Sequence, residues 1–344
     1  MSALALALLA IAACYAAVEA VRRLALRRGV LDVPVARSSH EVPTPRGGGI
    51  VIVAATLLAP VMVGGLAEGG LAPPVAAWMA GGAAIALIGW IDDIRSLSSR
   101  TRLPVQVAAA ALLLAVAGCW RELDLPLAGP VPLGWAGCLL ALLWIVGMTN
   151  AYNFMDGIDG IAAGQAIVAG LAWAIIGREA GDAEVGAIGA GIALSGAGFL
   201  LHNRPPARIF MGDVGSGFLG FTFAALPLLL AARGTAAYPA RLPVAGAALV
   251  WPFLFDASFT FVRRLVRGEN VFEGHRSHLY QRLVITGMSH TRVSALYAGW
   301  ALVSSALALV WLRGRPGAGV ALLGWTLLSV AGMIAGVRAR ERRT

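Results

Sequence analysis

Between residues 150 and 160 the chain reads N-A-Y-N-F-M-D-G-I-D-G, two amides and two carboxylates set between strongly apolar runs. Acids at a bilayer boundary are costly unless they face protein, water or an ion, so Asp156 and Asp159 are candidates for chemistry. Spaced three apart, Asn150, Asn153, Asp156 and Asp159 would form a slowly rotating polar stripe if the segment is helical. Gly157 and Gly160 allow a turn or a close helix approach. Such a set suits a hydrated magnesium ion, which prefers one or two carboxylates, retained waters and substrate phosphate oxygens. The alternative is glue, buried Asn and Asp side chains bonding one helix to another.

Three further clusters carry similar residue types. Asp92 and Asp93 end an apolar run; on a helix they point about 100° apart, which predicts separate tasks and not joint chelation. Their plainer reading is helix-end solvation, with pairing to Arg95 or Arg102. Asp213 stands in F-M-G-D-V-G-S-G before another apolar run, where its carboxylate could hold a metal while free N–H groups and Ser216 receive a phosphate. Alternatively, Asp213 or Ser216 caps the helix that follows. No Lys follows the glycines, so this is not an ATPase-type phosphate loop. The fourth cluster, H-R-S-H-L-Y-Q-R at 275–282, offers His275, Arg276, His278 and Arg282 to a pyrophosphate through charge-assisted bonds. Two histidines without a third close ligand argue against zinc, and interfacial anchoring is the plainer reading. Asp256, with Thr260 and Arg263 on a similar helix face, either pairs with an arginine or joins this chemistry.

The elements that must position these residues are membrane spans. In 344 residues, 58% are hydrophobic and 13% charged, against about one quarter charged in soluble domains. The expected fold is all-α, a polytopic integral membrane protein of about eleven transmembrane helices. They fall near 2–21, 47–66, 74–91, 103–119, 133–149, 161–176, 185–201, 218–232, 242–262, 293–312 and 317–337. The whole of 1–344 reads as one transmembrane catalytic domain, with 263–292 as a cytoplasmic histidine-containing loop. Glu19 lies within reach of Arg22 and Arg23, and Pro43 and Pro45 keep P-T-P-R-G-G-G out of the helix that its glycines open.

Every one of the 27 basic residues is arginine. With the N-terminus outside and the C-terminus cytoplasmic, 21 of them fall inside and six outside, among the latter Arg178, Arg313 and Arg315, as the positive-inside rule requires. The net charge of +9 is thus a topology signal, and no nucleic acid is expected. The five histidines, His40, His202, His275, His278 and His290, fall on the same inner side as all the clusters. Glu68 falls outside. Cys14, Cys119 and Cys138 offer no disulfide or metal-ligand spacing.

Taken in order, P-T-P-R-G-G-G at 43–49, D-D-I-R at 92–95, the 150–160 stretch, F-M-G-D-V-G-S at 210–216 and the histidine loop resemble the polyprenyl-phosphate N-acetylhexosamine-1-phosphate transferases, relatives of phospho-MurNAc-pentapeptide transferase. The resemblance covers nearly the whole chain. It implies a magnesium-dependent enzyme, with manganese able to substitute. That enzyme would transfer a sugar 1-phosphate from a UDP-N-acetylhexosamine donor to undecaprenyl phosphate, releasing UMP at the cytoplasmic face of a bacterial inner membrane. Carried over, Asp213 and Asp156 are metal ligands and Asp92, Asp93, Asp156 and Asp159 catalytic. Arg46, Asn150, Asn153, His275, Arg276, His278 and Arg282 bind substrates. The family leans toward a homodimer. Three consecutive histidines mark the peptidoglycan branch; H-R-S-H here argues against a muramyl-pentapeptide donor and for the O-antigen initiating branch, with GlcNAc, FucNAc or QuiNAc. A direct single displacement is expected, Asp92 or Asp93 orienting or deprotonating the lipid phosphate.

Three rival classes remain. A transporter of an anionic substrate would show matched interrupted segments and midplane polar groups. A structural subunit leaves the one-sided acids and histidines unexplained. A phosphatidyl-alcohol transferase would continue D-G-x-x-A-R, where this chain has D-G-I-A-A-G.

Overall fold

The computed structural model describes residues 2–34, 42–64, 70–270 and 275–343. His40, Glu68, the last two residues of the expected second span and 271–274 of the expected histidine loop lie outside the described residues. The protein is an all-α, multi-pass membrane protein with two small hairpins. Helix α1 is Ala3–Arg28; strands β1 (Leu31–Asp32) and β2 (Thr44–Pro45) pair antiparallel; α2 is Ile50–Gly64, α3 Pro73–Arg95 and α4 Ser99–Ala117. Strands β3 (Glu122–Leu125) and β4 (Gly129–Pro132) form a second hairpin before α5 (Ala136–Met155), α6 (Ile161–Glu179), α7 (Ala183–Asn203) and α8 (Asp213–Arg233). Then come α9 (Leu242–Leu249), α10 (Trp251–Val266), the short α11 (Leu279–Ile285), α12 (His290–Leu312) and α13 (Ala318–Glu341).

Each of the eleven expected segments falls on a helix or, for the ninth, on the pair α9 and α10. Among the described residues nine helices are long and apolar enough to cross a membrane, or ten if that pair, bent by 73°, is one span. α2 is apolar but has 15 residues. The bend has a local cause. Pro252 has no N–H to give the Ala248 carbonyl, and the Leu249 carbonyl, left open because Phe253 N–H turns to Val250, accepts from Gln165 of α6 at 2.8 Å.

At the centre stands α8, in which every residue from Val214 through Leu230 is buried. Most of α1 and α13, by contrast, faces outward, as lipid-facing helices do. α3 and α5 pack along α8 most extensively. Trp78 donates to Thr222 at 3.3 Å and Trp144 to the Ala224 carbonyl at 3.1 Å. Two glycines let the backbones meet at its N-terminal end. A Cβ on Gly49 would sit 2.5 Å from the Gly215 Cα, and one on Gly89 would sit 2.5 Å from the Asp213 carbonyl oxygen.

The cysteine reading requires correction: Cys119 and Cys138 form a disulfide, their Cα atoms 4.8 Å apart. The β3–β4 hairpin between them doubles the chain back, so that the end of α4 meets the start of α5. Spacing along the sequence could not reveal that return. Cys14 is free. The expected Glu19 pairing is present, with Arg22 and Arg23 both donating at 2.8 Å.

Adding a methyl group at Gly49 or Gly89 should force α8 away from its neighbours, and overpacking of this kind costs about 1–3 kcal/mol. In detergent, Gly49→Ala and Gly89→Ala should melt earlier than the parent by tryptophan fluorescence. Gly336→Ala, where a Cβ meets nothing within 4 Å, should not. Parent-like melting of the first two would mean that this close approach is not what seats α8.

Candidate active site

Four of the sequence clusters meet at the N-terminal end of α8. The glycine segment reaches it through backbone pairing: Phe210 N–H donates to the Pro45 carbonyl at 2.8 Å, and Gly48 and Gly49 N–H donate to Phe210 and Met211 carbonyls at 2.9 Å. This holds Arg46 against Asp93, with Nε and Oδ1 3.3 Å apart, and 3.7 Å from Asp32.

The adjacent acids of α3 do diverge. Asp93 turns to α8, accepting from Asp213 N–H at 2.8 Å and Val214 N–H at 3.2 Å. Asp92 turns to α4: Oδ1 accepts from Leu97 N–H, and Oδ2 is 2.7 Å from Arg102 Nη1. That same nitrogen is 2.7 Å from Asp213 Oδ2. One guanidinium therefore bridges the carboxylates of two separate motifs. Arg102 thus matches one of the plainer pairings open to Asp92, yet its second bond, to Asp213, had no sequence signal. Neither Asp213 nor Ser216 caps α8; Ser216 Oγ donates to the Gly212 carbonyl at 3.0 Å and accepts from Asn153 at 3.0 Å.

The polar stripe is only half helical. α5 carries Asn150 and Asn153 but stops at Met155, and Asp156 and Asp159 lie in the turn to α6. Asn150 donates to Gln106 at 2.7 Å. Gln106 went unrecognised, although it follows Arg102 by four residues and so shares its helix face. Arg102, Gln106, Asn150, Asn153 and Asp213 line a cavity of about 20 Å³, room for about one water-sized occupant. Burial pushes the Asp156 carboxyl well above the usual carboxylate range, and the neighbouring charge of Asp213 adds to this while Arg46 opposes it. Asp159 accepts from Ala207 N–H at 3.1 Å and lies 3.3 Å from His290, so it ties the turn to α7–α8 and α12.

The histidine loop is built on Asp256. This fully buried carboxylate pairs not with an arginine but with the loop itself. It accepts from Leu279 N–H (2.8 Å), Tyr280 N–H (3.0 Å), Tyr297 Oη (2.6 Å) and Thr260 Oγ1 (3.2 Å), and lies 3.3 Å from His278 Nδ1. Tyr280 in turn donates to the Phe154 carbonyl at 3.0 Å, fastening the loop to the end of α5. His275 stacks on His278 with centroids 4.9 Å apart. Burial, with the positive neighbours behind it, lowers the His275 pKa to about 4, so its ring is neutral at pH 7. Ser277 N–H points at its Nδ1 from 3.3 Å, which leaves Nε2 as the donor. Arg276 Nε is buried without an acceptor among the described residues. Arg282 turns the other way, to a two-bond pair with Glu341 at 2.7 Å.

No group of three His, Cys, Asp or Glu side chains among the described residues could by itself hold a metal. Magnesium does not require one; one or two carboxylates suffice when waters and phosphate oxygens complete its octahedron. The donor set fits that habit: the Asp213 carboxylate lines the cavity beside Asn150 and Asn153, and buried Asp156 lies close enough to feel its charge.

A family model described as glycosyl transferase family 4 matches residues 75–231, from α3 to α8. The chain is 34% identical over 357 aligned residues to the decaprenyl-phosphate N-acetylglucosaminephosphotransferase of Mycobacterium tuberculosis, covering 93% of this chain and 85% of that one. It is 32% identical over 278 residues to the "Probable undecaprenyl-phosphate N-acetylglucosaminyl 1-phosphate transferase" of Bacillus subtilis, covering 80% and 75%. It is also 32% identical over 323 residues to a Synechococcus phospho-N-acetylmuramoyl-pentapeptide-transferase, covering 86% and 84%.

Asp256→Ala would strand two backbone N–H groups, two hydroxyls and a histidine; losing one partner of a buried charged network costs about 3–5 kcal/mol. The expected result is an earlier melt and protease cleavage within 275–285 at a temperature where the parent resists. Parent-like resistance would remove Asp256 as the loop's anchor.

Proposed function

The chain belongs to glycosyl transferase family 4, and from that premise we propose that it transfers N-acetylhexosamine 1-phosphate from a UDP-sugar to undecaprenyl phosphate. The observation that carries this reading is Arg102 seated between Asp92 and Asp213 at 2.7 Å from each. Fixed positive and negative groups from four motifs in one recess are what phosphoryl transfer requires, since that reaction depends on positioning and charge neutralisation more than on covalent help.

In the proposed reaction an oxygen of the lipid phosphate attacks the phosphorus that bears the sugar. The bond from that phosphorus to the bridging oxygen breaks, and UMP departs with the bond's electron pair. The acceptor is already an anion at neutral pH and needs orientation more than a strong base. Arg102 and Asp92 would orient it, Asn150 and Asn153 would line the donor's path, and Arg46 would offset the accumulated negative charge. Arg276, with a donor lacking an acceptor, and neutral His275, donating through Nε2, suit the pyrophosphate. Asp213 and Asp156 would hold magnesium, which when bound supplies charge neutralisation at the pyrophosphate.

The relatives named for N-acetylglucosamine favour UDP-GlcNAc as donor, with the 6-deoxy sugars FucNAc and QuiNAc next, and the product would start a lipid-linked glycan such as an O-antigen. Purified protein with magnesium and undecaprenyl phosphate should release UMP from one of these donors and not from UDP-MurNAc-pentapeptide. Asp213→Asn should lower kcat by about a hundredfold or more, the usual scale for losing a charge-stabilising group. Lipid-independent release, or none with any donor from folded protein, would sink the proposal.

We further propose that the acid-bearing face is cytoplasmic in a bacterial inner membrane. The disulfide lies at the opposite ends of α4 and α5, and disulfides persist in oxidising compartments; the arginine distribution points the same way. In whole cells of a Cys14→Ser background, an impermeant maleimide should label Cys119 and Cys138 after reduction. A cysteine at exposed Ser98 should label only after permeabilisation; the reverse pattern would invert the topology.

A further inference from the structure

α8 begins with an unusual deficit. Its N-cap position is Gly212, which has no side chain to offer, and no side chain of its own segment caps it. Gly215 and Ser216 N–H both donate to the Gly212 carbonyl at 3.1 Å, so the unmet donors are Asp213 and Val214. These are the two N–H groups that Asp93 accepts, one on each carboxylate oxygen, at 2.8 and 3.2 Å. A residue 120 positions away thus does the work of the missing cap. The fit is close: Gly212 has φ +78°, and a Cβ there would collide with the Asp93 carboxylate. Arg46 covers the remaining side at 3.3 Å, and the Asp93 side chain is 0% exposed.

Asp92 is placed otherwise. Its side chain keeps 10% exposure, and it shares Arg102 with Asp213. A group that exchanges a proton with substrate must come within hydrogen-bond reach of it. Asp92 reaches the cavity wall through Arg102, whereas Asp93 is sealed between Arg46 and the start of α8.

We propose that Asp93 is a positioning residue and Asp92 the member of the pair that faces substrate. Asp93 fixes the first turn of α8, so that the Asp213 carboxylate, on the very residue whose N–H is held, points at Arg102 and the cavity. This assignment rests on the transferase reading for its kinetic consequences, while its effect on the first turn of α8 does not depend on that reading.

The test uses full-length protein in detergent, with manganese as the metal probe followed by electron paramagnetic resonance, alongside kcat, the two KM values and the melting temperature. Asparagine can accept only one of the two N–H bonds from Asp213 and Val214, through its Oδ1, because its Nδ2 is itself a donor; alanine can accept neither. Asp93→Asn, keeping one bond of the two, should therefore lose about tenfold in kcat and about threefold in manganese affinity with an earlier melt, and Asp93→Ala about a hundredfold in kcat and about tenfold in manganese affinity. Neither should move the KM for undecaprenyl phosphate, which Asp92→Asn should raise. The proposal is overturned if Asp93→Asn loses as much kcat as Asp93→Ala while binding manganese like the parent, for then the carboxylate itself takes part in the reaction. It is equally overturned if Asp93→Ala binds manganese and turns over like the parent. Should Asp93→Ala fail to fold, Asp93→Asn decides: about a hundredfold loss of kcat with parent-like manganese binding and melting overturns the proposal, and parallel losses in all three support it. Should the parent transfer no sugar, the transferase reading fails separately, and the manganese and melting comparison still judges the cap.

Discussion

A helix whose first turn packs into protein cannot send the N–H groups of that turn to water. α8 is such a helix, and an unpaired buried N–H costs about 1–3 kcal/mol. Something in the protein must accept those bonds, and the acceptor here is a carboxylate on α3. That carboxylate needs a counter-charge, which comes from Arg46; Arg46 needs a fixed backbone, which the pairing of 45–49 with 210–211 provides. The polar cluster is thus a chain of obligations begun by burying one helix end. Gly49 and Gly89 belong to the same constraint, since larger residues would hold the acceptors out of reach.

The second cluster follows similar logic from another direction. Asp256 is fully buried in the protein, and an unpaired carboxylate there would be costly. Its neighbours remove the cost by turning backbone N–H groups, hydroxyls and a histidine ring toward it. In satisfying one charge they also fix where the histidine loop stands. Tyr280 completes the link by bonding to the end of α5, so the Asp156 turn has the α8 cluster on one side and the histidine loop on the other. Glue and site, set against each other as readings of buried polar residues, are here successive layers of one arrangement.

Much of this was legible in the sequence because it is local. Apolar runs placed the helices, and D-D, N-x-x-N and G-D marked residues that converge at the start of α8. Long-range partnership was not legible. Nothing near Asp93 says that it caps a helix starting at 213, although Gly212 at the N-cap, where Ser, Thr, Asn or Asp is favoured, is a sign that the cap comes from elsewhere. Arg102 was visible as a neighbour of Asp92, but its reach to Asp213 depends on how α3, α4 and α8 pack. Cys119 and Cys138 meet only because a hairpin returns the chain. Asp156 and Asp159 kept the three-residue spacing of a helical stripe, yet Gly157 and Gly160 ended the helix first.

The bent pair α9 and α10 shows why such departures from regular helix gather on this side of the fold. Non-helical backbone at membrane depth survives only where protein or a cavity satisfies it. Pro252 frees a carbonyl bond and Gln165 restores one at Leu249, so the break is supported from α6 and the chain can turn by 73°. Beyond the bend, α10 sets Asp256 against residues 278–280 of the histidine loop. The same α6 begins directly after the Asp156–Gly160 turn, and Gly160 N–H is held by Asn203 at 2.9 Å. The break between α9 and α10 is thus braced from α6, and the turn that opens α6 is held from α7.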